Sequence, residues 1–114
     1  MQDTSCIFCK IINGDIPSKL IAQTDTTLVI QDIAPKAPIH YLIMPKKHIK
    51  NIATLTPNDD LYTLDCIKVA RDLSTKLAPP ASFNLVSNNG EQAGQSVFHL
   101  HWHFLAGAHL WKHL

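Results

Sequence analysis

The chain has 114 residues, 46% of them hydrophobic and 17% charged, with a formal net charge of +1. That length fits a single domain over residues 1–114, and its scattered basic residues argue against a nucleic-acid or polyanion partner. No apolar run is long enough to span a bilayer, Met1–Ser5 lacks the regions of a secretory signal, and three cysteines cannot build a disulfide framework, so the expected setting is the cytoplasm.

Ser5 is the expected N-cap of a short helix from Cys6 to Ile12, stopped by Asn13-Gly14, with Pro17 at the exit. Leu20 to Gln23 and Thr27 to Asp32 read as two strands, with Asp25 near the turn between them. Pro35 and Pro38 mark a rigid connection, because neither can donate to a sheet ladder. A third strand, His40 to Met44, ends at Pro45. Thr56-Pro57 begins a long helix, with Asp59 and Asp60 in its first turn, at the positive end of the dipole. Leu61, Leu64, Ile67, Ala70, Leu73 and Leu77 then recur at helical spacing and form the stripe expected to meet a core. Pro79-Pro80 stops the helix. Ser82 to Ser87 is a fourth strand, Asn88 to Ser96 a polar loop, and Val97 to Leu105 a fifth strand. The expectation is an α+β domain: a five-stranded antiparallel sheet, one short N-terminal helix, and one long helix across a face.

Strand side chains alternate faces, so His99, His101 and His103 share one face while Leu100, Trp102 and Phe104 fill the other. A single strand histidine is ordinarily a half-buried polar residue; strict alternation of three asks for another account. Two chemistries suit the array. Alternating imidazoles can ligate zinc, or one can attack while its neighbours fix its tautomer and handle protons. Geometry along one strand leaves both open. The preceding segments, Asn88-Asn89-Gly90 and Gly94-Gln95-Ser96, supply amides and a hydroxyl suited to phosphate oxygens.

The run Gln95-Ser96-Val97-Phe98-His99-Leu100-His101-Trp102-His103-Phe104-Leu105 resembles the signature of the histidine triad (HIT) family, His-φ-His-φ-His-φ-φ with φ apolar. The resemblance extends to Phe8–Ile12, to Asp32–His40, and to Ile43–Ile49, and covers nearly the whole chain. Its nearest branch is the histidine triad nucleotide-binding proteins, which are purine nucleoside phosphoramidases and adenylate hydrolases. The resemblance implies that His101 attacks the α-phosphorus of a purine nucleotide or nucleoside phosphoramidate and carries the nucleotidyl group until water releases it. His103 and Ser96 would contact the phosphate and the departing group, and His40 and His99 would orient the imidazoles. Asn88, Gly94 and Gln95 would surround phosphate oxygens, and Asp32 would bind the ribose hydroxyls. Ile7, Phe8, Ile11 and Ile33 would wall the base; without the resemblance each is simply a core residue. A homodimer that continues the sheet across subunits is also implied.

Cys6-Ile7-Phe8-Cys9 has the spacing with which two thiolates grip one metal ion, and is otherwise compatible with two core cysteines. Similar members of the superfamily bind zinc there with a histidine of the Pro-x-x-His segment and the first triad histidine. Those positions are His48 and His99, which implies one structural zinc per subunit and no cofactor for the chemistry itself. Cys66 reads as core. Ala93 and Ala106 stand where the family often has glycine, and the tail after Gly107, with Trp111, is short beside many relatives. Two other functions compete with the phosphoramidase reading. One is a zinc-dependent hydrolase using the triad as metal ligands; the other is a nucleotide-binding module without turnover.

Overall fold

The structure is a computed structural model that describes residues 5–109. Its sheet is built around two strands buried on both faces, β2 (Thr27–Gln31) and β3 (Ile39–Pro45). Leu28, Ile30, Leu42 and Met44 point to one side, Val29 and Ile43 to the other, as the period of two requires. With β1 (Leu20–Gln23), β4 (Phe83–Val86) and β5 (Trp102–Ala106) they form a five-stranded sheet ordered β1-β2-β3-β5-β4, antiparallel throughout.

Each face carries a helix. The long helix α2 (Asp60–Ser74) buries Cys66, Val69, Ala70 and Leu73 against Val29, Ile43, Leu100, Trp102 and Phe104. The short helix α1 (Ile7–Ile12) covers the opposite face, where Phe8 and Cys9 pack with Leu28, Ile30, Leu42 and Met44. Because α1 is short, it leaves part of that face open beside β4 and β5. Among the described residues no helix is long and apolar enough to cross a membrane.

Four local expectations need correction. The N-cap of α1 is Cys6 rather than Ser5, because its Sγ accepts from the N–H of Cys9 at 3.3 Å. Thr56-Pro57 opens a 3-10 turn, Pro57–Asp59, before α2 begins. There Asp59 accepts from the Thr56 N–H at 2.9 Å and pairs with Lys47 at 2.5 Å, so it is a buried brace and no mere dipole partner. The core stripe of α2 is also rotated. Ala70 and Leu73 are buried and Leu77 packs at the core's margin, but Leu61, Leu64 and Ile67 are 77%, 50% and 43% exposed. Tyr62, Cys66 and Val69 take the core side instead, and α2 therefore has two apolar faces.

The fifth strand begins at Trp102, five residues later than expected. Its ladder with β3 ends at Ile43↔Trp102 and that with β4 at Val86↔His103, so residues 97–101 have no strand partner among the described residues. The Leu100 N–H bonds the Ile49 carbonyl instead, at 2.6 Å. Trp111 lies outside the described residues.

Candidate active site

His40 and His103 stand on the open part of the α1 face, brought together by register. His40 lies opposite Leu105 and Leu42 opposite His103, so the two histidines are diagonal neighbours across β3 and β5. His40 Nε2 lies 2.9 Å from His103 Nδ1 and 3.3 Å from an Asp32 carboxylate oxygen. His101 adjoins His103, with ring centroids 5.2 Å apart. These four residues, with Asn88, Gly94 and Ser96, border a cavity of about 520 Å³. The expected alternation survives although residues 97–101 are not strand, since Leu100, Trp102 and Phe104 remain in the opposite core.

Backbone groups fix the protons on these rings. A carbonyl oxygen only accepts, so His99 carries its proton on Nε2 toward Pro45 O at 2.8 Å. For the same reason His101 carries its proton on Nδ1 toward the carbonyl of His99 at 2.7 Å. An N–H only donates, and Lys36 N–H meets His40 Nδ1 at 3.0 Å. Neutral His40 therefore donates through Nε2 to His103 Nδ1, and His103 keeps its own proton on Nε2. The result is alternate: His101 has a lone pair on Nε2, His103 an N–H there.

The rings are held neutral. Burial pushes His103 down to about 4, aided by His101, His40 and Lys36 and opposed by Asp32. It also lowers His101, against the opposing bond to the His99 carbonyl and the charge of Asp32. His40 falls below its ordinary value through burial, with Asp32 opposing and Lys36 assisting. Burial takes His99 down to about 4 despite its bond to Pro45.

The loop before the triad is braced from within. Gly90 and Gly94 adopt φ of +98° and +93°, conformations that favour glycine, on either side of a 3-10 turn over Glu91–Ala93. The Gly94 amide is spent on Glu91 O at 3.0 Å and the Gln95 amide on Gly90 O at 3.1 Å. The Gln95 side chain is buried, donating to Lys50 O and Val97 O and accepting from Gly90 N–H. Gln95 and the Gly94 amide are thus loop braces, a correction to their expected place as ligand donors. Asn88 spends one amide hydrogen on Ala93 O and has a second to offer.

Asp32 serves its turn and the cavity together, since one oxygen accepts from Ala34 N–H at 2.8 Å. Of the expected apolar walls, Phe8 is buried and meets His101 edge-on at 5.1 Å, Ile11 packs at the margin of the α1 core, Ile7 is half-exposed, and Ile33 is 97% exposed. The cavity also brings in Lys36, Asn84, Val86 and Leu105, which sequence reasoning missed. Strand parity could have found three of them: Asn84 and Val86 alternate toward Asn88, and Leu105 continues the face of His103.

Cys6, Cys9, His48 and His99 form a second cluster, with four ligand atoms all within 4.8 Å of one another. His99 Nδ1 lies 3.4 Å from Cys6 Sγ and 3.5 Å from Cys9 Sγ, and His48 Nδ1 lies 3.2 Å from Cys9 Sγ. The donor set suits a soft divalent ion, and the proton on His99 Nε2 leaves Nδ1 free to ligate. Asp32, His40 and His103 are equally close, but the Lys36 N–H places the proton of neutral His40 on the very nitrogen a metal would need. The tautomers thus favour the cysteine cluster as a metal centre.

Residues 13–110 match the HIT domain family profile. An uncharacterized HIT-like protein of Synechocystis is 39% identical over 106 residues, covering 93% of this chain and 91% of that one. A HIT family hydrolase from Clostridium thermocellum superposes with a TM-score of 0.90 at 36% identity, covering 96% of each chain. A histidine triad nucleotide-binding protein from Candida albicans gives 0.76 at 37% identity, covering 87% of this chain and 72% of that one.

Proposed function

The chain belongs to the HIT domain family, and from that premise we propose that it hydrolyses purine nucleoside phosphoramidates or related adenylates at the α-phosphate, with His101 as nucleophile. The observation that carries this reading is the bond from His101 Nδ1–H to the His99 carbonyl. It puts a lone pair on Nε2 of a neutral ring at the wall of a nucleotide-sized cavity. The names of two similar structures, a hydrolase and a nucleotide-binding protein, point the same way.

In this mechanism Nε2 of His101 attacks the α-phosphorus and the bond to the leaving group breaks. The ring becomes cationic while keeping Nδ1–H, and the His99 carbonyl stabilises that charge. A departing amine takes a proton in the same step from the hydroxyl of Ser96, which is refilled by cavity water, while the Nε2–H of neutral His103 hydrogen-bonds the departing group; both residues are at the cavity wall. Water then attacks phosphorus, returns the proton, and displaces His101 as a neutral ring. Asn88 and the Ser96 amide hold phosphate oxygens, in place of the Gly94 amide. Asp32 accepts from the ribose hydroxyls with its outer lone pairs, and Phe8, Ile7, Ile11 and Ile33 flank the base.

Zinc is the ion we assign to Cys6, Cys9, His48 and His99, one per subunit. Held by four protein ligands, the ion would have no open position; it would cross-link α1, the segment after β3 and the start of the triad, and leave the chemistry to the imidazoles. Thiols that ligate zinc need a reducing setting, which fits the cytoplasm. We further propose a homodimer, because among the described residues Leu61, Leu64 and Ile67 form an exposed apolar face and β4 is an edge strand of the sheet.

The direct test is turnover of an adenosine phosphoramidate with a fluorogenic amine. Wild type is expected to release the amine, and His101→Ala to lose at least about 10³-fold in kcat while still binding adenosine monophosphate. Comparable turnover in the folded variant would remove His101 from the role.

A further inference from the structure

The candidate metal cluster and the proposed nucleophile are joined by two short routes. The first runs through His99. Its ring faces both cysteine sulfurs through Nδ1 and is tied to Pro45 O through Nε2, while its carbonyl accepts the Nδ1–H of His101. The second runs through Phe8, which sits between Cys6 and Cys9 and packs edge-on against two triad rings. Its centroid lies 6.0 Å from that of His99 and 5.1 Å from that of His101, the latter at 90°.

Neither route is reinforced by the sheet. Residues 97–101 precede the β5 ladder, and the described backbone bond in that stretch is Leu100 N–H to Ile49 O. The His99 carbonyl shares its peptide unit with that Leu100 N–H, whose acceptor directly follows His48, so it is positioned by this one bond together with what holds the His48 and His99 rings. Helix α1 is a six-residue element, too short to be stable alone, and is held by its packing and by whatever engages its two cysteines. A neutral imidazole released from a fixed acceptor puts its proton on either nitrogen, and one of those tautomers has no lone pair on Nε2.

We propose that the Cys6–Cys9–His48–His99 centre positions the nucleophile: an ion held there locks the His99 carbonyl and the Phe8 ring, and these two select the nucleophilic tautomer and tilt of His101. His99 and Phe8 are positioning residues in this account. The inference rests on the reading of the cluster as a zinc site and of His101 as nucleophile, but its readout does not depend on turnover.

The test uses full-length protein with ¹⁵N-labelled histidine, zinc-loaded and then chelator-stripped, followed by long-range ¹H–¹⁵N correlation without substrate. Loaded protein is expected to show His101 as a single Nδ1–H tautomer, and stripped protein a mixture that zinc reverses. His40 and His103, governed by the Lys36 N–H, serve as internal references and should keep their tautomers. A pure Nδ1–H tautomer in folded, stripped protein overturns the inference, as does a folded chain that takes up no zinc. Should stripping unfold the chain, Phe8→Leu in the loaded protein replaces it: a mixed His101 tautomer without substrate, and kcat about tenfold lower. Unaltered tautomer and kcat in that variant overturn the inference as well. Failure to find a nucleotidyl adduct on His101 would count against the proposed function and leave this tautomer result standing.

Discussion

The backbone N–H of Lys36 donates to Nδ1 of His40 at 3.0 Å, and through that contact the chain sets the proton positions of two rings. His40 must then donate from Nε2, and His103 presents its own N–H on Nε2. A single amide outside the triad decides which triad nitrogen donates.

His40→Ala should therefore lower kcat by about 10²-fold, the usual scale for a lost proton-handling partner, with little change in binding of adenosine monophosphate. Steady-state kinetics with parallel calorimetry check this. A variant that loses binding and turnover equally would make His40 a ligand contact instead.

The pH dependence follows from His103, which burial pushes down to about 4, with His101, His40 and Lys36 in the same direction and Asp32 against them. An unfolded histidine titrates near ~6.5. Between those values the unfolded chain binds the extra proton and the native ring does not, so stability falls as pH drops through that window. Denaturant titrations from pH 7 to pH 4 should show this slope, and His103→Gln should flatten it. An unchanged slope would mean that His103 takes up its proton over the same pH range in the native and the unfolded chain.

A second acid-sensitive element lies away from the cavity. One carboxylate oxygen of Asp65 on α2 accepts from the hydroxyls of Thr24, Thr26 and Thr27 at 2.5, 2.7 and 2.6 Å. Burial pushes that carboxyl up, but the three hydroxyls outweigh it, and its value is lowered overall. Its contribution is thus complete above the ordinary carboxylate range and lost as pH falls through the depressed value. Asp65→Ala should cost about 1–3 kcal/mol at neutral pH, leaving unpaired hydroxyls, with kcat unchanged in the folded fraction. Chemical denaturation measures the cost; a change within error would mean that water replaces the carboxylate.

Much of this could be read in the sequence, for reasons that differ by residue. Periodicity placed Leu100, Trp102 and Phe104 opposite the histidines, and that held even where the ladder did not. It could not orient α2, because Leu61–Leu64–Ile67 and Tyr62–Cys66–Val69 are both apolar at helical spacing. The contact with the sheet chooses between them. Nor could it see Gln95 folding back on Lys50 O, or the Lys36 amide reaching His40, since both depend on how distant segments meet.

The uncovered stripe on α2 gives the fourth prediction. Leu64→Asp and Ile67→Lys should convert a homodimer to a monomer at micromolar concentration, as read by light scattering. Wild type that is already monomeric would contradict the dimer.

Removal of metal separates the proposed mechanism from a zinc-dependent hydrolase. Protein purified without chelator should contain one zinc per chain, with sulfur and nitrogen scatterers in equal number by X-ray absorption. After stripping, the folded fraction should keep measurable turnover, about tenfold reduced. Complete loss, restored in proportion to added zinc, would place the ion in the chemistry.

The most direct measurement is covalent. Enzyme mixed with a slowly hydrolysed adenosine phosphoramidate and quenched within one turnover in alkaline denaturant can be digested and mapped by mass spectrometry. The account predicts an adenylyl group on the peptide holding His101, assigned to that residue by fragmentation and absent from His101→Ala. An adduct on His103, or none at any time in an enzyme that turns over, would contradict it.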